Sequence, residues 1–255
     1  MKLISLLAIL ILAACGNNNQ QDLKLVSTSI FGGNKIAEDS RFLPYIVGVF
    51  DPVNNYVCTG TLISENTVLT AAHCVHKAVD QNIHIVFDTK ITSKNFLKAS
   101  KITVHADFVM NDEVIKNDLA LVQFEGALPE NKKFIDITST LELSAEQVAD
   151  VHIAGMGHNI IKPFKMGAGT LRESVLTNQT FNLDYDVFKL DQSKDTGVCQ
   201  GDSGSGVFIV VDNHLILVGV TSAVDLAKNK KKADCNKNSY FSSVKYFADW
   251  IEKNM

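Results

Sequence analysis

The sequence lacks most of the features that mark whole classes of protein. Its 24 Lys and Arg residues are scattered, apart from the short run Lys228 to Lys232, and the formal net charge is only -4. No basic stripe for nucleic acid exists, and the lysine run reads as a solvated loop. The seven histidines form no zinc-type pair, and Asp107 to Glu113 lacks the spacing of a calcium loop. No metal and no other cofactor is therefore expected. Internal repeats are absent, which excludes a solenoid. The one long apolar run, Leu3 to Ala14, is too short to span a bilayer as a helix.

What is present begins with that run. A single charge, Lys2, followed by Leu3 to Ala14 reads as an export signal over residues 1–14. Its end, Leu12-Ala13-Ala14-Cys15, resembles the lipobox of bacterial lipoproteins, and the resemblance implies cleavage before Cys15 and lipid on that cysteine. Gly16 at the following position leans toward an outer-membrane destination. Gly16 to Gln21 is polar and aperiodic, so residues 15–29 read as a tether or propeptide. Five cysteines are an awkward number for an exported chain, but giving Cys15 to lipid leaves four, enough for two bridges in any of three pairings.

Residues 30–255 hold enough apolar side chains for a substantial core, the whole chain being 46% hydrophobic. Short segments rich in Val, Ile, Phe and Thr recur between turn residues, among them Tyr45 to Phe50, Cys58 to Ile63, Leu119 to Phe124, Val207 to Val211 and Leu215 to Thr221. Their lengths and composition predict strands in a sandwich or barrel. Only the end differs. Val244, Phe247, Trp250 and Ile251 recur at helical spacing and predict one amphipathic C-terminal helix.

Three distant segments carry chemistry: Thr70-Ala71-Ala72-His73-Cys74, Asn117-Asp118-Leu119-Ala120-Leu121, and Cys199-Gln200-Gly201-Asp202-Ser203-Gly204. A serine hydroxyl becomes a nucleophile only beside a base, and the charge that develops on an attacked carbonyl needs donors. Glycines flanking Asp202-Ser203 let a tight turn aim the Gly201 and Ser203 N–H groups at one oxyanion. On these motifs the chain resembles the chymotrypsin-fold, trypsin-like serine peptidases from Ile30 to its end. That resemblance implies an all-β fold of two packed six-stranded antiparallel β-barrels with a C-terminal α-helix, the barrels meeting near residues 135–145. It also implies roles: Ser203 as nucleophile, His73 as general base and Asp118 as the carboxylate that orients the imidazole. The chain order His, Asp, Ser separates it from α/β-hydrolases and subtilisins.

The resemblance further implies bridges Cys58 to Cys74 and Cys199 to Cys235. Ile30-Phe31-Gly32-Gly33 resembles the N-terminus released when a zymogen is cut, its α-amino group pairing with Asp202. Ser29 before that bond makes a trypsin-type activator doubtful, and cutting there would free the domain from its anchor. Activity would fall at high pH as the Ile30 amine loses its proton, and at low pH as His73 gains one. The pocket floor maps to Gly197, with no carboxylate for Arg or Lys unless Asp195 takes that place. The walls map to Ser222, Ala223 and Val224, with Ser239 facing them. A valine where the family commonly has glycine narrows the slot and implies small or medium apolar P1 residues, while Lys228 to Lys232 would suit an acidic neighbour. Protein or peptide substrates, a membrane contact through Cys15, a monomer and a bacterial cell-envelope location with possible soluble release complete the expectation. The competing classes are a noncatalytic binding module on the same fold and an esterase using the same serine.

Overall fold

A computed structural model describes residue 30 and residues 33–91, 95–111, 114–157, 160–161, 164–165, 170–194, 196–199, 201–226 and 234–255. The signal, Cys15, the tether, Asp195 and Lys228 to Lys232 lie outside the described residues. The chain forms two β halves. Strands β1 (Ile46–Asp51), β2 (Tyr56–Leu62), β3 (Thr67–Thr70), β4 (His84–Val86), β5 (Phe96–Val104) and β6 (Ala120–Phe124) close into an antiparallel barrel in the order β1-β2-β3-β6-β5-β4. Val47, Leu69, Ile85, Leu121 and Phe124 are buried in and around it. Such β-branched and aromatic side chains fit a pleated surface covered on its inner face.

The second half contains β7 (Glu146–Gly155), β8 (Arg172–Asn182), β9 (Val187–Asp191), β10 (Gly206–Val211), β11 (His214–Val224) and β12 (Asn238–Ser243), ordered β8-β7-β10-β11-β12-β9. Asn34–Lys35 pairs outside β8 as a seventh, two-residue strand. The sheet curls until its ends meet, where the Asp191 N–H donates to the Gln179 side-chain oxygen at 2.9 Å. This half is thus a curled sheet joined at its seam by a side chain, beside a first half closed by a full ladder.

The segment between the halves is fastened to both. Lys132 Nζ donates to the Ile46 carbonyl at 2.6 Å and to Leu43 at 3.0 Å. Thr140 Oγ1 donates to the Leu217 carbonyl at 2.8 Å. The C-terminal helix Ala248–Asn254 buries Ile251 and half-buries Trp250, the side chains that its sequence period placed on one face. It rests on the first barrel: His105 packs its ring 5.4 Å from Phe247 and 5.0 Å from Trp250. No helix among the described residues is long and apolar enough to cross a membrane.

Candidate active site

Register explains how residues 73 and 118 meet. Thr70 pairs with Ala120, so the chain leaving β3 and the chain entering β6 share one end of the barrel. Three residues beyond Thr70, the short helix Ala72–Val75 carries His73; two residues before Ala120 stands Asp118. Small Ala71 and Ala72, both fully buried, let this helix sit close to the barrel rim. Asn117, at φ 48°, turns the chain, and its side chain donates to the Asp107 carbonyl at 2.8 Å. Asn tolerates this left-handed conformation better than most residues.

Asp118 accepts the His73 ring Nδ1 at 2.7 Å through Oδ2 and the His73 backbone N–H at 2.9 Å through Oδ1. This fixes the ring by two points and leaves Nε2 as the nitrogen turned away from the acid. The second half clamps the same acid. Ser222 Oγ donates to Oδ2 at 2.6 Å, and Ser242 Oγ to the Asp118 carbonyl at 3.1 Å. Burial alone would raise the Asp118 pKa; the His73 hydrogen bond and charge, with Ser222, outweigh it and lower the pKa. The acid is therefore held ionised. Ser222, expected on the pocket wall, is thereby also a partner of the acid.

Ser203 belongs to the second half but is tied to the first: its carbonyl accepts the Thr59 N–H at 2.9 Å. Thr59 follows Cys58, which is bridged to Cys74, the residue after His73. Gly204, at φ 79°, has room for no side chain, since a Cβ would stand 2.1 Å from Thr70 Oγ1 and 2.3 Å from the Thr59 carbonyl. The absence of a side chain at 204 thus permits the close approach of the two halves beside Ser203. Among the described residues the Ser203 hydroxyl forms no hydrogen bond with His73. Tyr56 stands nearby, and burial pushes its phenol up, with the Ser203 hydroxyl acting against that shift. His73 Nε2 lies 3.9 Å from Cys74 Sγ. The sulfurs of Cys58 and Cys74 with His73 make a compact cluster, but as a disulfide they are not thiolate metal ligands.

Asp202 is completely buried. Its carboxylate accepts the N–H groups of Ile30 at 2.9 Å, Cys199 at 3.0 Å and Gly157 at 3.0 Å. Burial nevertheless pushes its pKa up to about 7, because peptide dipoles replace water only in part. Ile30 is itself buried and is held at φ 34°, a left-handed conformation that a β-branched residue rarely adopts. Gly201 has φ 91°, and among the described residues neither its N–H nor that of Ser203 is taken up by an internal acceptor.

The Cys199–Cys235 bridge closes the turn from the other side, with Cα atoms 5.4 Å apart. Gly197 lies against the amide of Gln192, which is fully buried. That amide accepts the Val198 N–H at 3.0 Å and donates to the carbonyls of Val198 at 2.9 Å and Cys235 at 2.8 Å. Val224 pairs directly with Ser239, whose buried Oγ has no hydrogen-bond partner among the described residues. Gln192, Tyr56 and Ser242 were missed in the sequence. A glutamine within a polar stretch carries no local signal of burial, and the other two reach the site only through the fold.

Comparison with known proteins agrees with this architecture. The collagenase of Hypoderma lineatum is 28% identical over 211 residues, 77% of this chain and 75% of its own length. The chymotrypsin-like elastase family member 1 of Macaca fascicularis is 27% identical over 224 residues, 78% of this chain and 79% of that protein. Ovochymase of Halocynthia roretzi is 25% identical over 224 residues, but the match spans only 13% of that much longer protein. The family profile described as trypsin matches residues 30–251, and the chain belongs to the trypsin family of serine proteases.

Proposed function

We propose that the protein is a serine endopeptidase in which Ser203, His73 and Asp118 act together. The observation that carries this reading is the His73 ring held at 2.7 Å by a buried, ionised Asp118, beside a serine whose own carbonyl is bound by the neighbouring barrel. In the reaction Ser203 Oγ bonds to the substrate carbonyl carbon as its proton passes to His73 Nε2. The oxyanion meets the N–H groups of Gly201 and Ser203. Collapse breaks the C–N bond, the amine leaves with the proton from His73, and an ester remains on Ser203. Water then gives a proton to His73, attacks that ester and releases the acid, the serine recovering its proton.

The chain is read as a precursor cut before Ile30. In the uncut form Asp202 is offered a peptide N–H at 2.9 Å where a cut chain would offer an ammonium. Cutting also abolishes the φ torsion that strains Ile30, so the new end is free to relax. With Cys15 lipidated, that cut separates a membrane-held precursor in the bacterial envelope from a soluble enzyme. Small or medium apolar P1 residues fit a pocket with Gly197 at its floor and Val224 opposite Ser239. A serine-directed phosphonate tests the reading: mass spectrometry should find one adduct on Ser203, absent in Ser203→Ala. A P1 panel of Ala, Val, Phe, Glu and Arg should turn over Ala or Val fastest. No adduct on the chain beginning at Ile30 overturns the catalytic reading, and fastest turnover of Arg overturns the pocket reading.

A further inference from the structure

Arg172 is a cation that the scheme above does not use. It is half-buried at the start of β8, between two features of the activation machinery. On one side it pairs with Lys35, and its Nη1 donates to the Gly33 carbonyl at 3.1 Å. On the other it pairs with Gly155 of β7. Gly155 in turn abuts Asp202: a Cβ there would stand 2.5 Å from Asp202 Oδ1, so only glycine admits the carboxylate. Among the described residues the buried guanidinium Nε has no hydrogen-bond partner and is an unspent donor. Its charge favours ionised Asp202 against the dominant effect of burial. Nearby, Glu173 is occupied by Ser40 Oγ at 2.7 Å, and Lys35 is exposed.

Asp202 governs the two turns that carry Gly201 and Ser203. Its N–H donates to the Cys199 carbonyl at 3.1 Å, and its carbonyl accepts the Ser205 N–H at 3.0 Å. We propose that Arg172 is a positioning residue whose guanidinium, tied to the activation segment at Gly33 and one strand away from Asp202, takes over in the uncut chain part of the role of the α-ammonium that cleavage would supply. The Gly201 to Ser203 turn is then held in its working form before any cut, and the precursor carries hydrolytic activity of its own. This rests on the reading of Ser203 as a nucleophile.

The test compares phosphonate labelling of two forms of the protein. One retains residues 15–29 and is made resistant to cutting by Ser29→Pro; the other begins at Ile30. The uncut form with native Arg172 should label at Ser203. Arg172→Gln should slow that labelling by about tenfold, and Arg172→Lys should restore it to within about threefold. In the form beginning at Ile30, Arg172→Gln should cost less than about threefold, since the ammonium supplies the charge. Silence of the uncut form while the form beginning at Ile30 labels overturns the proposal without any substitution at 172. Equal losses from Arg172→Gln in both forms also overturn it, because they mark a packing role. If the form beginning at Ile30 is itself unlabelled, the nucleophile reading falls, and the proposal with it.

Discussion

Cleavage before Ile30 should change the pH dependence of stability, and the size of the change follows from Asp202. In the uncut chain this buried carboxyl titrates at about 7, against 3.8 when free in water. A group whose folded pKa is raised stabilises fully below its unfolded pKa, and that contribution is lost as pH rises through the folded value. Between about pH 5 and pH 8 the uncut chain should lose about 3 kcal/mol of unfolding free energy through Asp202 alone. In the cut chain an ammonium facing the carboxylate keeps it ionised, so this loss disappears until the amine deprotonates, above about pH 8. Release of the strained Ile30 adds a pH-independent gain of about 1–3 kcal/mol to the cut form. Guanidinium unfolding of both forms at several pH values, with disulfides intact, gives the difference between the two profiles. Titrating side chains from residue 30 onward are common to both and cancel. Parallel profiles would refute the assignment of Asp202 as the partner of the new terminus.

Other outcomes can be checked singly. Lys132, buried and lowered from 10.5 to about 8, is costly to keep charged, so its penalty should shrink by about 2 kcal/mol between about pH 7 and 9.5. Urea unfolding of Lys132→Met should lack that rise and show a loss of about 1–3 kcal/mol for each carbonyl left bare. Ser222→Ala removes the 2.6 Å donor to Asp118, and phosphonate labelling should slow by about tenfold or more without loss of folding.

The parts legible in the sequence are those whose signal is local. A helical period placed Ile251 and Phe247 on one face, and apolar runs marked the strands. Short motifs singled out His73, Asp118 and Ser203 as candidates, and the fold brings the first two into contact. What escaped depends on long closures. Ser222 and Ser242 stand 104 and 124 residues from Asp118, and neither has a neighbour that betrays its partner. Asn34–Lys35 forms a strand too short to show a period. Arg172 looks like any surface arginine until β7 and β8 bring it beside Gly155. The hydroxyl of Ser203 next to Tyr56 likewise depends on a contact between halves, which no run of residues encodes.

The helix Ala248–Asn254 follows the second half in the chain, yet it lies on the first barrel. The two halves therefore do not close as independent units in sequence order, because part of the apolar surface of the first is covered only by residues that come after the second. A lesion in that helix should loosen the half from which it is most distant in sequence.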